Sequence, residues 1–346
     1  MQKANNNTAP IVKRYRTWAS ITIGAIVLLI LAGGIVRMTG SGMGCPDWPK
    51  CFGQWVPPTD ISQLPTDYKT QFAVAGREVA DFEAFKTWVE YINRLLGVLV
   101  GFFSIITAVL SYRMRKIVPS VFFLSLSGLL LVIIEGGIGA YVVRTHLQAG
   151  MVTLHMVVAL AIFAVYLSAI LKARAEELKE KYTRTIPAKL KWGAFALLVI
   201  TTIQIVMGTQ VREAIDLIAV QLGEGGRADW ISQLGAGYDW HSLGHYSILG
   251  VFLWLAIQMK DFYQSHAILK NLFISIGVFI FLEVALGLGM HHLGIPAFMQ
   301  PSHLLLASLL FGAEFLLMSV MMMLSGESNS EELAYDNQRD KEVFSH

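Results

Sequence analysis

The sequence has little charge for its length. Only 15% of its 346 residues are Asp, Glu, Lys or Arg, whereas 54% are hydrophobic. A soluble domain averages about 25% charged residues, and one of this size does not need so much apolar surface for its core. The shortage of charge therefore argues against an ordinary soluble protein and indicates that part of the apolar surface faces lipid.

Cysteine is also scarce, because the chain has only two. Cys45 and Cys51 lie close together in the stretch GCPDWPKCFG, with Pro46 and Pro49 between them. A short loop of this kind can bring the two Cα atoms within disulfide range, and a compartment outside the cytoplasm permits oxidation. We favour a disulfide over free thiols. A redox-active dithiol remains the alternative, while a metal pair would lack further ligands in this loop.

Long apolar runs recur along the chain. A helix needs roughly 20 apolar residues to cross the ~30 Å hydrocarbon layer, whereas barrel strands are shorter and alternate in polarity. The runs therefore predict an all-α membrane protein. The eight predicted helices, numbered here as segments 1 to 8, span residues 18–37, 88–112, 118–143, 148–171, 189–211, 240–259, 268–290 and 301–324.

The distribution of basic residues predicts the topology. Loops rich in Lys and Arg usually remain in the cytoplasm, whereas the loops at 38–87 and 212–239 balance their basic residues with acidic ones, including Asp216, Glu224 and Asp229. We expect these two loops outside and both termini inside, in a bacterial plasma membrane, with segment 1 as an uncleaved signal anchor. The basic clusters are Lys13, Arg14 and Arg16; Arg113, Arg115 and Lys116; and Lys172, Arg174, Lys179, Lys181, Arg184, Lys189 and Lys191.

An internal repeat divides the chain into two halves. Two sets of residues recur in the same order and at the same spacings, namely Glu135, Gly139, His155 and Ala159, and then Glu283, Gly287, His303 and Ala307. Arg37 likewise matches Arg212 at the ends of segments 1 and 5. In segments 2 and 6, Trp88 precedes Asn93 by the same spacing as Trp240 precedes His245. The repeat predicts two parallel, pseudo-symmetric four-helix bundles.

This repeat also predicts the division of the chain. We expect a cytoplasmic N-terminus at 1–17, an N-terminal half at 18–171 that includes the loop 38–87, and a cytoplasmic linker at 172–188. The C-terminal half follows at 189–324, and a cytoplasmic tail follows at 325–346.

Three histidines are predicted at similar depth, near the outer ends of their helices: His155, His245 and His303. Any one of them is as readily explained by packing, but ionisable groups in a membrane are costly and often functional. Imidazoles from two helices commonly hold haem iron. Zinc is the competitor, yet it requires three or four close protein ligands, whereas these candidates pair as one site per half. We therefore favour haem.

Four arginines are predicted at the same outer ends. They can hold haem propionates through charge-assisted hydrogen bonds, or reach lipid headgroups instead. These residues are Arg37, Arg94, Arg144 and Arg212.

Four stretches resemble the haem A synthase family of cytochrome oxidase assembly proteins. They are GGIVRMTGSGMGCPDWPKCFG at 33–53, EYINRLLG at 90–97, TLHMVVA at 153–159 and PSHLLLA at 301–307. The resemblance implies an eight-helix enzyme that oxidises the C8 methyl group of haem O to the formyl group of haem A. It places the substrate haem in the N-terminal half and an electron-relaying haem b in the C-terminal half.

The resemblance also implies roles for individual residues. Glu90 matches the family's essential carboxylate, His155 matches the ligand of the substrate haem iron, and His303 matches the ligand of haem b. Cys45 and Cys51 match the family's outer-loop pair.

The sequence departs from the family pattern at two positions. Asn93 replaces a histidine in segment 2, and segment 6 offers His241 and His245 instead of a His-Arg pair. An amide is a poor iron ligand. We therefore expect His155 to hold the substrate haem, with Asn93 donating a hydrogen bond on the opposite face. For haem b we prefer His245 over His241, because of the shared tryptophan register.

Four acidic residues lie within the predicted helices. Glu90 is predicted to orient water or take a proton at the haem edge, although pairing with Arg94 one turn later is a structural alternative. We interpret Glu135 and Glu283 as structural hydrogen-bonding residues, and Glu314 as a buried protonated acid.

Two rival functions share some of these features. A quinone-linked di-haem b electron-transfer protein needs similar histidine pairs, and a small-solute transporter shares parallel repeats. We expect the lipid bilayer as the surroundings, haem O synthase and cytochrome oxidase assembly proteins as partners, and no nucleic acid. The sequence indicates neither the electron donor nor the oligomeric state.

Overall fold

The computed structural model describes residues 9–148, 150–181, 186–223, 229–260 and 267–325. Arg184, Glu224 and the predicted tail from residue 326 onward lie outside this range. The described residues form these helices: α1 (Ala9–Met38), α2 (Tyr68–Gln71), α3 (Ala84–Tyr112), α4 (Pro119–Arg144), α5 (Met151–Ala173), α6 (Ala175–Lys181), α7 (Ala188–Leu222), α8 (Ala236–Met259), α9 (Ala267–His292) and α10 (Met299–Ser325).

Eight of these helices are long and apolar enough to cross a membrane, and only α2 and α6 are not. The predicted all-α fold with eight membrane helices is therefore confirmed, and the chain is a multi-pass membrane protein. The predicted loop at 212–239 is partly wrong, because α7 continues as a helix to Leu222. Buried Ile215 explains the extension, since it packs in one cluster with Trp230 and Ile295.

The helices of each half contact one another in the same cyclic order. In the N-terminal half, α1 packs against α3 and α5, and α4 packs against the same two helices. In the C-terminal half, α7 packs against α8 and α10, and α9 does the same. This shared order agrees with the sequence repeat. The exact pseudo-symmetry and the domain boundaries stay predictions.

The two halves meet mainly through α10, which packs against α1 and α5. A Cβ atom at Gly34 would lie 3.1 Å from Pro301, and one at Gly312 would lie 2.6 Å from the ring of Phe163. Close approach of helix backbones at small residues is how membrane helices associate, because lipid removes most of the hydrophobic driving force between them. These glycines therefore fix the interface between the halves.

Residues 39–83, between α1 and α3, form what we call the Cys loop, and the end of the bundle that carries it is the Cys-loop side. The predicted disulfide between Cys45 and Cys51 is confirmed. Both cysteines are buried, and Phe52 beside them packs edge-on against the rings of Tyr68 and Phe72. The loop thus has a small core of its own.

Candidate functional site

The Cys loop is held on α3 by a buried ion pair. Glu90 is only 4% exposed. Its Oε2 accepts a hydrogen bond of 2.9 Å from the backbone N–H of Cys45, and its Oε1 accepts one of 3.1 Å from Nε of Arg94. Arg94 in turn donates to the carbonyl oxygens of Cys45 at 2.7 Å and Lys50 at 3.0 Å.

This network satisfies backbone groups of the disulfide loop that would otherwise be buried without partners. Both oxygens of the Glu90 carboxylate are engaged, and the structural alternative of an ion pair with Arg94 is present. Arg94, which the sequence offered as a ligand for haem propionates, is committed to loop carbonyls. The start of α3 and the disulfide therefore form one rigid unit.

Each half contains a histidine in close contact with a glutamate, at equivalent positions of the repeat. Nδ1 of His155 lies 3.0 Å from Oε1 of Glu135, and Nδ1 of His303 lies 2.7 Å from Oε2 of Glu283. Neither contact has the alignment of a full hydrogen bond. A histidine that binds metal through one ring nitrogen usually has the other held by a carboxylate or carbonyl. The contacts thus leave each Nε2 available for a metal.

The C-terminal half brings a second histidine to this layer. The rings of His241 and His303 lie at 83° to each other, with centroids 6.4 Å apart. Two imidazoles that bind the same metal ion from opposite sides, each at ~2 Å, have ring centres about 6 Å apart. The pair therefore fits a single iron held between α8 and α10.

His245 is placed differently, because its ring packs against Tyr246 with centroids 4.1 Å apart. The tryptophan register behind the preference for His245 is unchanged, because α3 and α8 both begin four residues earlier than predicted. α8 begins at Ala236 rather than at residue 240, so His241 is in its second turn and His245 in its third. His303 is in the second turn of α10. The geometry consequently favours His241 over His245 as the partner of His303.

Glycines leave room beside these histidines, and some polar atoms around them have no hydrogen-bond partner. A Cβ atom at Gly208 would lie 3.1 Å from the ring of His241, whereas one at Gly287 would meet nothing within 4 Å. Nδ1 of His241 and Oε1 of Glu283 are buried without a hydrogen-bond partner. A polar macrocycle edge or a metal-bound ring beside the helices is consistent with both observations.

Within the described membrane helices of the N-terminal half, His155 in α5 is the only histidine, whereas the C-terminal half brings His241 and His303 together. The side chain of His155 is 42% exposed, and a Cβ atom at Gly139 would lie 3.5 Å from its ring. In α3, Oδ1 of Asn93 is buried without a hydrogen-bond partner. The N-terminal half therefore offers one imidazole, on α5, and one amide oxygen without a partner, on α3, which suits a haem held from one side.

The two repeat-equivalent arginines share one carboxylate. Nη2 of Arg37 lies 2.8 Å from Oδ2 of Asp216, and Arg212 pairs with the other oxygen of the same residue. Asp216 belongs to the unpredicted extension of α7. Their side chains are 25% and 20% exposed. Their donors are thus partly committed to an ion pair between the halves.

A second link between the halves could not be predicted from any sequence motif. Oγ1 of Thr153 in α5 lies 2.8 Å from Oγ1 of Thr209 in α7. Glu213, also in α7, accepts a hydrogen bond of 3.2 Å from the N–H of Gly150 at the start of α5. Glu213 was missed because residue 212 was expected to begin a loop.

Two further polar observations bear on the alternatives. Glu314 is fully buried, as predicted, and accepts a hydrogen bond of 3.0 Å from Oγ1 of Thr201, whereas its predicted protonation stays a prediction. Within the described ranges, no three His, Cys, Asp or Glu side chains come together as a metal-binding group. Haem needs only one or two protein ligands, so the His241–His303 pair and the single His155 fit haem better than zinc.

Comparison with known proteins identifies related chains. A family model described as "Cytochrome oxidase assembly protein" matches residues 16–315. A protein of Lysinibacillus sphaericus named "Heme A synthase" is 24% identical over 337 residues, which cover 92% of this chain and 98% of that protein. Proteins with the same name from Bartonella bacilliformis and Nitrosospira multiformis are 28% and 30% identical over 221 and 177 residues.

The extent of these matches varies. The alignment with the Bartonella bacilliformis protein covers 58% of this chain and 60% of that protein. The alignment with the Nitrosospira multiformis protein covers 47% and 49%.

Proposed function

Because the chain belongs to the cytochrome oxidase assembly protein family, we propose that it converts haem O into haem A by oxidising the C8 methyl group to a formyl group. The family match over residues 16–315 and the relatives named "Heme A synthase" support this activity. The observation in this structure that carries the proposal is the asymmetry between the histidine sites of the two halves.

The C-terminal half would hold the resident haem b. The ring centroids of His241 and His303 lie 6.4 Å apart, a separation that suits one iron between them. Glu283 beside Nδ1 of His303 would fix the tautomer that leaves Nε2 free for the metal. A haem with two imidazole ligands supplies one-electron transfer. We therefore propose His241 as the second haem b ligand, instead of His245, which the sequence favoured.

The N-terminal half would bind the substrate haem O. His155 would bind its iron from one side, and Glu135 at 3.0 Å would orient the imidazole. Asn93 offers an amide instead of a second imidazole, and its N–H group would donate a hydrogen bond on the opposite face. A protein that only relays electrons requires matched ligands in both halves, so the lone imidazole favours an enzyme over a di-haem electron carrier.

Glu90 would act at the edge of the substrate haem. It lies one turn before Asn93, and its bonds to Arg94 and Cys45 fix the carboxylate in place. In this position it would orient a water molecule or take a proton while the methyl group is oxidised. Arg37 and Arg212, which share Asp216, would bind the haem propionates through charge-assisted hydrogen bonds.

The location follows from the charge pattern. We propose a bacterial plasma membrane with both termini in the cytoplasm and the Cys-loop side outside, because the basic clusters flank the opposite ends of the helices. Haem O synthase, which must supply the substrate, and cytochrome oxidase assembly proteins, which must receive the product, are the expected partners.

The test is haem A formation in cells that make haem O but lack their own haem A synthase. Expression of the wild-type chain should produce haem A, identified by mass in extracted haems, whereas His155→Ala should leave haem O. His292→Ala, a histidine at the end of α9 that lies outside both sites, should behave as wild type. Absence of haem A with a well-expressed wild-type protein would refute the proposed activity.

A further inference from the structure

The extension of α7 reaches from the C-terminal half into the N-terminal half. Its Glu213 side chain accepts hydrogen bonds through Oε1 from the N–H of Gly150 at 3.2 Å and from Oγ1 of Thr153 at 3.4 Å. Gly150 is the N-cap residue of α5 and has no side chain with which to cap the helix itself. Glu213 therefore supplies, from the other half, the acceptor that helix N-termini normally obtain locally.

The capped helix carries the substrate-side histidine. Thr153 precedes His155 by two residues, so both lie in the first two turns of α5. Helix ends fray when their N–H groups lack partners, and a small displacement of the first turns would move the imidazole. The position of His155 thus depends on a carboxylate from the C-terminal half, which contains the His241–His303 pair.

A contiguous set of contacts joins the two sites. Oγ1 of Thr153 lies 2.8 Å from Oγ1 of Thr209. Thr209 follows Gly208, where an added Cβ would lie 3.1 Å from the ring of His241. The same segment of α7 therefore contacts the start of α5 on one face and the ring of His241 on another.

We propose that Glu213 is a positioning residue for His155, which acts by capping α5 from the opposite half and thereby supports binding of the substrate haem. This inference rests on the proposed function, because it takes haem O as the ligand of His155. It assigns no direct contact with haem to Glu213.

The test compares Glu213→Ala with Glu213→Gln in the full-length protein loaded with haem b. Haem O affinity is measured by spectroscopic titration, and hydrogen exchange is measured in the peptide that contains the first turns of α5. Glu177→Ala is the matched control, since Glu177 forms an exposed ion pair with Arg16.

We expect Glu213→Ala to weaken haem O binding by roughly fivefold, the size of one lost helix cap. It should also speed exchange at the start of α5 while haem b remains at the wild-type level. Glu213→Gln keeps a carbonyl acceptor and should restore both properties to near wild type.

Wild-type affinity or unchanged exchange in Glu213→Ala would overturn the inference alone, as would equal loss of both haems. A wild-type protein that binds no haem O would overturn the proposed function as well. The two failures are therefore distinguishable.

Discussion

The imidazole rings of His241 and His303 lie nearly perpendicular, with centroids 6.4 Å apart. His303 is also in contact with Glu283, so a carboxylate, an imidazole and a second imidazole follow one another across the C-terminal half. This arrangement resembles a metal ligand with its orienting acid. It leads to the first two predictions.

Removal of one ring should identify the haem b ligand. We expect His241→Ala to lose most of its haem b, because only one imidazole would remain for the iron. His245→Ala should retain it, since that ring packs against Tyr246 instead. The pyridine haemochrome spectrum of each purified variant measures the haem b content. Loss of haem b in His245→Ala but not in His241→Ala would show that His245 is the ligand and would contradict the assignment of His241.

Removal of Glu283, the glutamate beside His303, should weaken haem b binding less than removal of His241 does. Loss of a residue that orients a metal ligand typically lowers affinity about 10–100-fold, and we expect Glu283→Ala to weaken haem b binding within this range. Glu283→Gln keeps an acceptor and should be milder. Glu135→Ala, the equivalent change in the other half, is the control and should leave haem b binding unchanged. An equal effect of both alanine variants on haem b would contradict the assignment of one haem to each half.

Glu90 has two separable roles, one in anchoring the Cys loop and one in the reaction. Glu90→Ala leaves the Cys45 N–H and the Arg94 guanidinium without their partner, which should lower the free energy of unfolding by about 1–3 kcal/mol. Glu90→Gln keeps an acceptor for the loop but cannot take a proton, and should lower turnover by on the order of 100-fold. Protease resistance of the loop and haem A yield measure the two roles. A fully active Glu90→Gln protein would contradict the role of Glu90 in the reaction, and only its role in anchoring the Cys loop would remain.

The amide of Asn93 should determine the spin state of the substrate haem. With His155 as its one imidazole ligand, this haem should show a five-coordinate, high-spin fraction in electron paramagnetic resonance. Asn93→His should convert that fraction to a low-spin signal while the haem b signal stays constant. Two low-spin, bis-imidazole haems in the wild-type protein would argue against a single ligand in the N-terminal half.

Much of the fold could be predicted from the sequence, because a membrane helix needs a long apolar run that is visible without a structure. The eight helices were expected on this basis, whereas the Cys45–Cys51 disulfide was expected from the short loop between the two cysteines. The extension of α7 to Leu222 was not, since it leaves the apolar run and is held by tertiary packing of Ile215. Such packing partners are distant in the sequence.

The site was harder to predict, because it depends on where helices begin and which side chains meet. The histidines could be found from the repeat, but the choice between His241 and His245 depended on which of the two rings lies beside His303. The commitment of Arg94 to loop carbonyls and the reach of Glu213 into the other half are contacts between distant segments. Periodicity and spacing contain no information about them.

Identification of the porphyrins that copurify with the wild-type protein tests the account most directly. The protein should be purified from cells that make haem O, and its extracted haems should be identified by mass. The account predicts haem b together with haem O or haem A. Haem b alone would favour electron transfer without oxidation of a substrate haem, and the absence of haem would contradict both histidine sites.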